Sequence, residues 1–255
     1  MFGKFMPPTM GHKYLVEFAR RQTDALFVFV GDVYDDSGIP RSLRADWLRR
    51  HFCDGVTVVV ADDSDKNAAI SSDELINRWR NVVLEAVGAP PDQWFGSEPY
   101  LSVIAESVGA HFHMVDDLRS AIPISATQVR SSPHRHWDLI LPEARPYFLH
   151  EILVVANDMD AVPLAAHSTN LDFTFADLRP DDPLKDDGLA TVRLGALREV
   201  ARRLLVTIVT EDQLARLSAP VLCHGPADRW KDANVEVIRV TSPDALLERI
   251  HAVLS

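Results

Sequence analysis

Cysteine is scarce. Cys53 and Cys223 are the two in a chain of 255 residues. They lie far apart, without metal-ligand spacing, which excludes a disulfide framework and a zinc-type cluster. Both are expected to pack as small apolar side chains in a reducing cytosol. Long apolar runs are missing as well: none reaches the roughly 18 residues that a membrane helix needs. The N-terminus has no signal-peptide layout, so a cytoplasmic location without membrane association is expected. Positive charge is in deficit, with 26 Lys and Arg against 37 Asp and Glu and a net charge of −11. Binding a nucleic-acid backbone depends on clustered cations that displace counterions, so nucleic acid is not an expected partner. A phosphate compound held locally, by helix N-termini and a few placed cations, stays open. The bulk composition, 47% hydrophobic and 25% charged, excludes disordered and fibrous classes.

Neither internal repeats nor low-complexity tracts occur. Residues 26–30 (LFVFV) and 56–60 (VTVVV) are short continuous apolar runs between polar turns, the pattern of buried parallel strands. Between them, residues 41–52 place Leu43, Trp47, Leu48 and Phe52 near helical spacing. Residues 71–87 repeat the pattern with Leu75, Trp79, Val82, Val83 and Ala86, with Ser71 or Ser72 as N-cap and Gly88 as stop. Strand 93–96 with helix 101–108, then strand 111–115, continue the alternation. Repeated strand-then-helix order predicts a doubly wound α/β domain over residues 1–150, its parallel sheet covered on both faces. A second, smaller α/β unit is expected over residues 151–255. Its first strand is 152–156 (ILVVA), followed by a polar stretch at 179–188 and a long helix at 189–205. Strands at 206–209, 221–223 and 235–240 and a closing helix at 243–254 complete it.

The strongest local signal opens the chain: Gly3-Lys4-Phe5-Met6-Pro7-Pro8-Thr9-Met10-Gly11-His12, followed by Tyr14, Leu15 and Phe18 at helical spacing. A strand ends in a loop fixed by glycine and proline, and a helix opens at Gly11-His12. The free N–H groups and positive dipole end of such a helix suit a polyphosphate. Gly11 lets backbone approach phosphate closely, and His12 can donate to charge developing on a transferred phosphoryl group. The bland alternative is a helix-start histidine after a turn shaped by prolines. A second string, Ile124-Ser125-Ala126-Thr127-Gln128-Val129-Arg130, offers hydroxyls that can cap a helix and a planar cation for phosphate oxygens. Alone, it equally describes an ordinary N-cap with a solvated arginine.

Together the two strings resemble the G-x-F-x-P-x-[HT]-x-G-H and I-S-x-T-x-[IV]-R signatures of the cytidylyltransferase-like nucleotidyltransferases. Thr9 stands where many members have a first histidine. Residues 131–138 (SSPHRHWD) and 141–148 (LPEARPYF), with Trp79 and Ser97-Glu98, narrow the resemblance to NadR-type nicotinamide-nucleotide adenylyltransferases over residues 1–148. The resemblance implies ATP lying over the strand ends and nicotinamide mononucleotide as acceptor, with NAD and pyrophosphate as products. His12, Lys4 and Arg130 would act on the reacting phosphates, and Mg²⁺ would accompany ATP. Gly3, Phe5, Thr9, Gly11, Ser125 and Thr127 would shape the nucleotide site. Asp116 and Arg119 would lie near the nucleotide, or form a solvated turn pair. Trp79 would stack on the nicotinamide ring, or fill a core position on its helix. His134 and His136, an i, i+2 pair without a carboxylate, fit the surface better than a metal. Asp62, Asp63 and Asp65 likewise fit a solvated loop. A homo-oligomer is left open.

Two departures stand out. Members carry several apolar residues ahead of Gly-x-Phe, whereas only Met1 and Phe2 precede Gly3 here; a start upstream of Met1 is expected, or else a short central strand. NadR-type proteins often continue into a P-loop ribosylnicotinamide kinase near residue 150, but no G-x-x-x-x-G-K-[ST] occurs in the chain. Without that cradle for phosphates, kinase activity is not expected. Alternatives to the adenylyltransferase reading are another acceptor (phosphopantetheine, flavin mononucleotide or a phospho-alcohol) or a nucleotide-binding regulator without catalysis.

Overall fold

The computed structural model describes residues 1–31, 38–61, 72–116, 120–156, 159–162, 164, 167–168, 173–178, 196–198, 200–201, 203–216, 234–239 and 242–254. The acidic run Asp62, Asp63 and Asp65, Arg119, the stretch 179–188 and the strand expected at 221–223 lie outside them. The chain divides into two compact units, Met1–Ala144 and Arg145–Ser255.

In the first unit, β1 (Phe2–Gly3), α1 (Met10–Arg20), β2 (Leu26–Val30), α2 (Arg41–His51), β3 (Val56–Val60), α3 (Ser72–Val87), β4 (Gln93–Gly96), α4 (Leu101–Ser107) and β5 (His111–Met114) alternate along the chain. The strands pair in parallel as β1-β2-β3 and as β4-β5. Side chains of a strand point alternately to its two faces, and β2 divides its residues accordingly. Leu26, Val28 and Val30 join Leu15, Val16 and Ala19 of α1 and Ala45 and Leu48 of α2. Phe29 and Phe27 join Trp79 and Val83 of α3 and Ile104 and Ala105 of α4. Phe95 of β4 enters the first cluster and Trp94 the second, so the two sheets share both cores. Helices α1 and α2 cover one face and α3 and α4 the other, the doubly wound arrangement. The chain crosses from one face to the other between β3 and β4.

Packing sorts one local pattern and corrects one expectation. On α1, Leu15, Val16 and Ala19 are buried, while Tyr14 and Phe18 are 42% and 39% exposed. The Leu15–Ala19 row sits over the sheet, so the Tyr14–Phe18 row one position earlier is turned outward. Cys53 is exposed on the turn after α2 rather than packed inside.

The second unit holds β6 (His150–Val155), β7 (Thr174–Asp177), β8 (Leu204–Val209), α6 (Glu211–Arg216), β9 (Asn234–Arg239) and α7 (Pro243–Leu254). Its sheet is parallel, in the order β7-β8-β6-β9. Ile152 and Val154, with Val206 and Ile208 of β8, pack against Leu246 and Ile250 of α7. The helix expected at 189–205 cannot extend that far, since Leu204 and Leu205 already belong to β8. Glu151 and Arg198 form a buried ion pair at 2.8 Å. Burial pushes the Glu151 carboxyl above its ordinary range, and the guanidinium opposes the shift.

Candidate functional site

The loop between β1 and α1 is built by its own side chains. Gly3 lies under the Phe5 ring, where an added Cβ would come within 3.0 Å of it. Phe5 takes a left-handed backbone (φ +51°), is 1% exposed and rests on the His12 imidazole at 4.8 Å between ring centroids. Thr9 is the N-cap of α1. Its backbone N–H donates to His12 Nδ1 at 3.0 Å, and its hydroxyl lies 2.9 Å from the same nitrogen. Because Nδ1 accepts an N–H, the neutral imidazole carries its proton on Nε2. Two carbonyls of this loop are gripped by guanidiniums. Arg130 Nη1 donates to Met6 O at 2.6 Å, and Arg44 Nη1 donates to Lys4 O.

The second motif builds α5 (Ala126–Ser131). Ser125 caps it, accepting from Gln128 N–H at 3.1 Å, while Gln128 Oε1 accepts from Ser125 N–H at 2.9 Å. This is a reciprocal capping box. Asp116 (φ +50°) follows β5 and folds its carboxylate back on the chain, accepting from Ser120 N–H at 2.7 Å and Ala121 N–H at 3.2 Å.

These pieces converge on one cavity of about 380 Å³. It opens beyond the C-terminal ends of β1, β4 and β5, where the chain crosses between faces of the sheet, the place where open α/β sheets bind ligands. Gly3, Lys4, Phe5, Thr9, Gly11, His12, Asp116, Ser125, Thr127 and Arg130 all line it. Glu98 and the half-exposed Tyr100 line it too. Burial and then the Glu98 charge push the Tyr100 phenol above its usual range, so it stays a protonated donor at neutral pH.

Trp79 is not among the lining residues. It is 3% exposed, in the core between α3 and α4, edge-on to Phe2 at 4.1 Å. A Cβ on Gly31 would meet its ring at 2.4 Å. Of the two roles open to this residue, the structure places it in the core one. Arg44 and Tyr100 went unread in the sequence, and Tyr14, read there only for its helical spacing, lines the cavity too. A charged residue on an amphipathic helix reads as solvated, yet Arg44 is 1% exposed. Gln128 had a readable signal, Ser-x-x-Gln before a helix.

No family model matches the chain. It is 25% identical over 174 residues to the trifunctional NAD biosynthesis/regulator protein NadR of Escherichia coli K12, a match spanning 62% of this chain and 42% of that protein. It is 24% identical to the NadR of Salmonella typhimurium LT2, over the same shares. The matched segment thus spans under half the length of these curated relatives. A crystal structure of NadR protein in complex with NAD and AMP-PNP superposes with a TM-score of 0.67 at 16% identity, covering 94% of this chain and 79% of that one. A NadR protein in complex with NR gives 0.69 at 16% identity, covering 100% and 83%. Among the described residues no helix is long and apolar enough to cross a membrane. The chain is thus similar in sequence to NadR proteins over part of its length and shares the fold of the solved NadR structures.

Proposed function

We propose that the first unit is a nicotinamide-nucleotide adenylyltransferase, joining AMP from ATP to nicotinamide mononucleotide and releasing pyrophosphate. The observation that carries this reading is the His12 imidazole, held by the Thr9 capping box in the tautomer with Nε2–H, at the wall of a cavity lined by both signature motifs. The 5′-phosphate of the mononucleotide would attack the α-phosphorus in line as pyrophosphate leaves. That phosphate is anionic at neutral pH, so no protein nucleophile is needed, and catalysis is positioning plus charge stabilisation. His12 Nε2–H would donate to a non-bridging α-phosphate oxygen as its charge grows. Lys4, Thr127 and the donors of Arg130 not used on Met6 would face the remaining phosphate oxygens. Ser125 shapes the wall by capping α5.

Mg²⁺ would enter with ATP, held chiefly by phosphate oxygens, and would neutralise part of their charge. The Asp116 and Glu98 carboxylates lining the cavity are oxygen donors suited to such a hard cation. Names of the relatives support NAD chemistry, and the solved neighbours were crystallised with NAD, AMP-PNP and NR. His12→Ala tests the reading. It should lower kcat for adenylyl transfer by about 10²–10³-fold, the scale for losing one transition-state donor, with the melting temperature lowered by a few degrees at most through the lost capping contact. Activity near wild type would make the histidine structural and the site misassigned.

A further inference from the structure

Arg44 lies on α2, which contributes nothing to the cavity wall, and its side chain is 1% exposed. Burying a guanidinium is costly, and an apolar side chain of similar volume would fill the space without that cost. One of its donors is aimed at the Lys4 carbonyl. That carbonyl follows directly on the β1–β2 ladder bond from Gly31 N–H to Gly3 O at 3.3 Å. Two residues on, Met6 O accepts from Arg130. Between the two gripped carbonyls sits Phe5, in a left-handed conformation that a non-glycine residue keeps only where its surroundings impose it.

We infer that Arg44 is a positioning residue for nucleotide binding: it sets the peptide plane between Lys4 and Phe5 from behind, and so fixes the Lys4–Met6 segment of the cavity wall for the phosphates. The peptide unit is planar and trans, so pinning the Lys4 carbonyl turns the Phe5 N–H to the opposite side. The same plane sets the direction in which the Lys4 side chain leaves the backbone. Arg44 also brings a permanent positive charge behind a wall that, on the proposed function, faces a polyanion. The inference rests on that reading of the cavity. Trp47 and Leu48, its neighbours on α2, are buried apolar residues, so an apolar replacement of Arg44 has a packed environment to enter.

The test uses the full chain with Arg44→Lys, Arg44→Met and, as a control, Val83→Ala, a core substitution on α3 that touches none of the motif residues. Mg·ATP binding is titrated calorimetrically beside melting temperatures. The expected result is a dissociation constant raised about tenfold or more by Arg44→Met, the scale of one charge-assisted hydrogen bond. Arg44→Lys should recover part of it, because it restores the charge without the planar fork. Val83→Ala should lower the melting temperature with ATP binding unchanged. Arg44→Lys binding ATP as the wild type does overturns the inference, whether or not Arg44→Met folds. So does an equal loss in Val83→Ala, which would reduce the effect to general loosening. Wild-type protein that binds no ATP overturns the nucleotide reading, and this inference with it.

Discussion

Replacing Trp79 by alanine separates its two roles. The indole is 3% exposed and meets Phe2 edge-on at 4.1 Å. A tryptophan side chain buries roughly 150–250 Å², which at about 25 cal/mol per Å² comes to ~4–6 kcal/mol as an upper value. Measured tryptophan-to-alanine losses in cores run at about 3–5 kcal/mol. The aromatic pair with Phe2 adds roughly 0.5–1.5 kcal/mol beyond area, which puts the expected loss toward the upper part of that range. At ~2–4 °C per kcal/mol for a chain of this size, the transition of the first unit should fall by about 10 °C or more. Calorimetry on the full chain reads this directly. Because Phe2 leads into the Gly3–Pro8 loop, any kinetic effect should touch ATP and the mononucleotide alike. A melting temperature within about 2 °C of wild type, with a raised KM for the mononucleotide alone, would refute the core assignment and restore the stacking one.

Further outcomes follow from other positions. A Cβ on Gly11 would make only ordinary contact, 3.6 Å from Thr9 Oγ1, so the fold does not require glycine there. Gly11→Ala should keep the melting temperature yet lower kcat/KM for ATP by up to about 10²-fold, the scale of an ångström's misplacement; unchanged kinetics would mean that no phosphate approaches this backbone. In the second unit, burial holds the His150 imidazole below its ordinary pKa of 6.5; the Glu236 carboxylate 3.6 Å away opposes this and the Arg249 charge adds to it. The unfolded chain then binds more protons just below pH 6.5 than the folded chain does. Stability linked to His150 is therefore complete above that pH and is lost as pH falls through the window. Thermal melts from pH 7.5 to 5 should show a flatter profile for His150→Asn than for wild type, and parallel profiles would contradict the assignment.

The framework of the first unit was legible because its strands are short apolar runs and its helices carry a clear period. The local build of the candidate site was legible because both motifs bring their contacts within one helical turn: Thr9 with His12, and Ser125 with Gln128. What escaped was long-range. Nothing near Arg44 in sequence announces that it reaches Lys4 O across 40 residues, and a helical arginine reads as solvated by default. Trp79 was ambiguous because a buried helix face and a ligand platform impose the same spacing. Tyr14 and Phe18 have helical spacing too, and only the packing of Leu15 and Ala19 on the sheet shows which row faces in. The strand β7, Thr174–Asp177, lacks the continuous apolar run that marks β2 and β6. The long helix expected at 189–205 ran into Leu204-Leu205 because leucine serves a helix and a buried parallel strand equally well.

The central claim is a reaction, and its products can be weighed. The 255-residue chain is incubated with ATP and Mg²⁺ and, separately, with nicotinamide mononucleotide, phosphopantetheine, flavin mononucleotide and glycerol phosphate, with CTP in parallel. Products are resolved by mass. The account predicts NAD and pyrophosphate in equal amounts from ATP and nicotinamide mononucleotide, formed faster than any other adduct and lost in His12→Ala. Folded protein that yields no dinucleotide, or that prefers CTP or another acceptor, would contradict it.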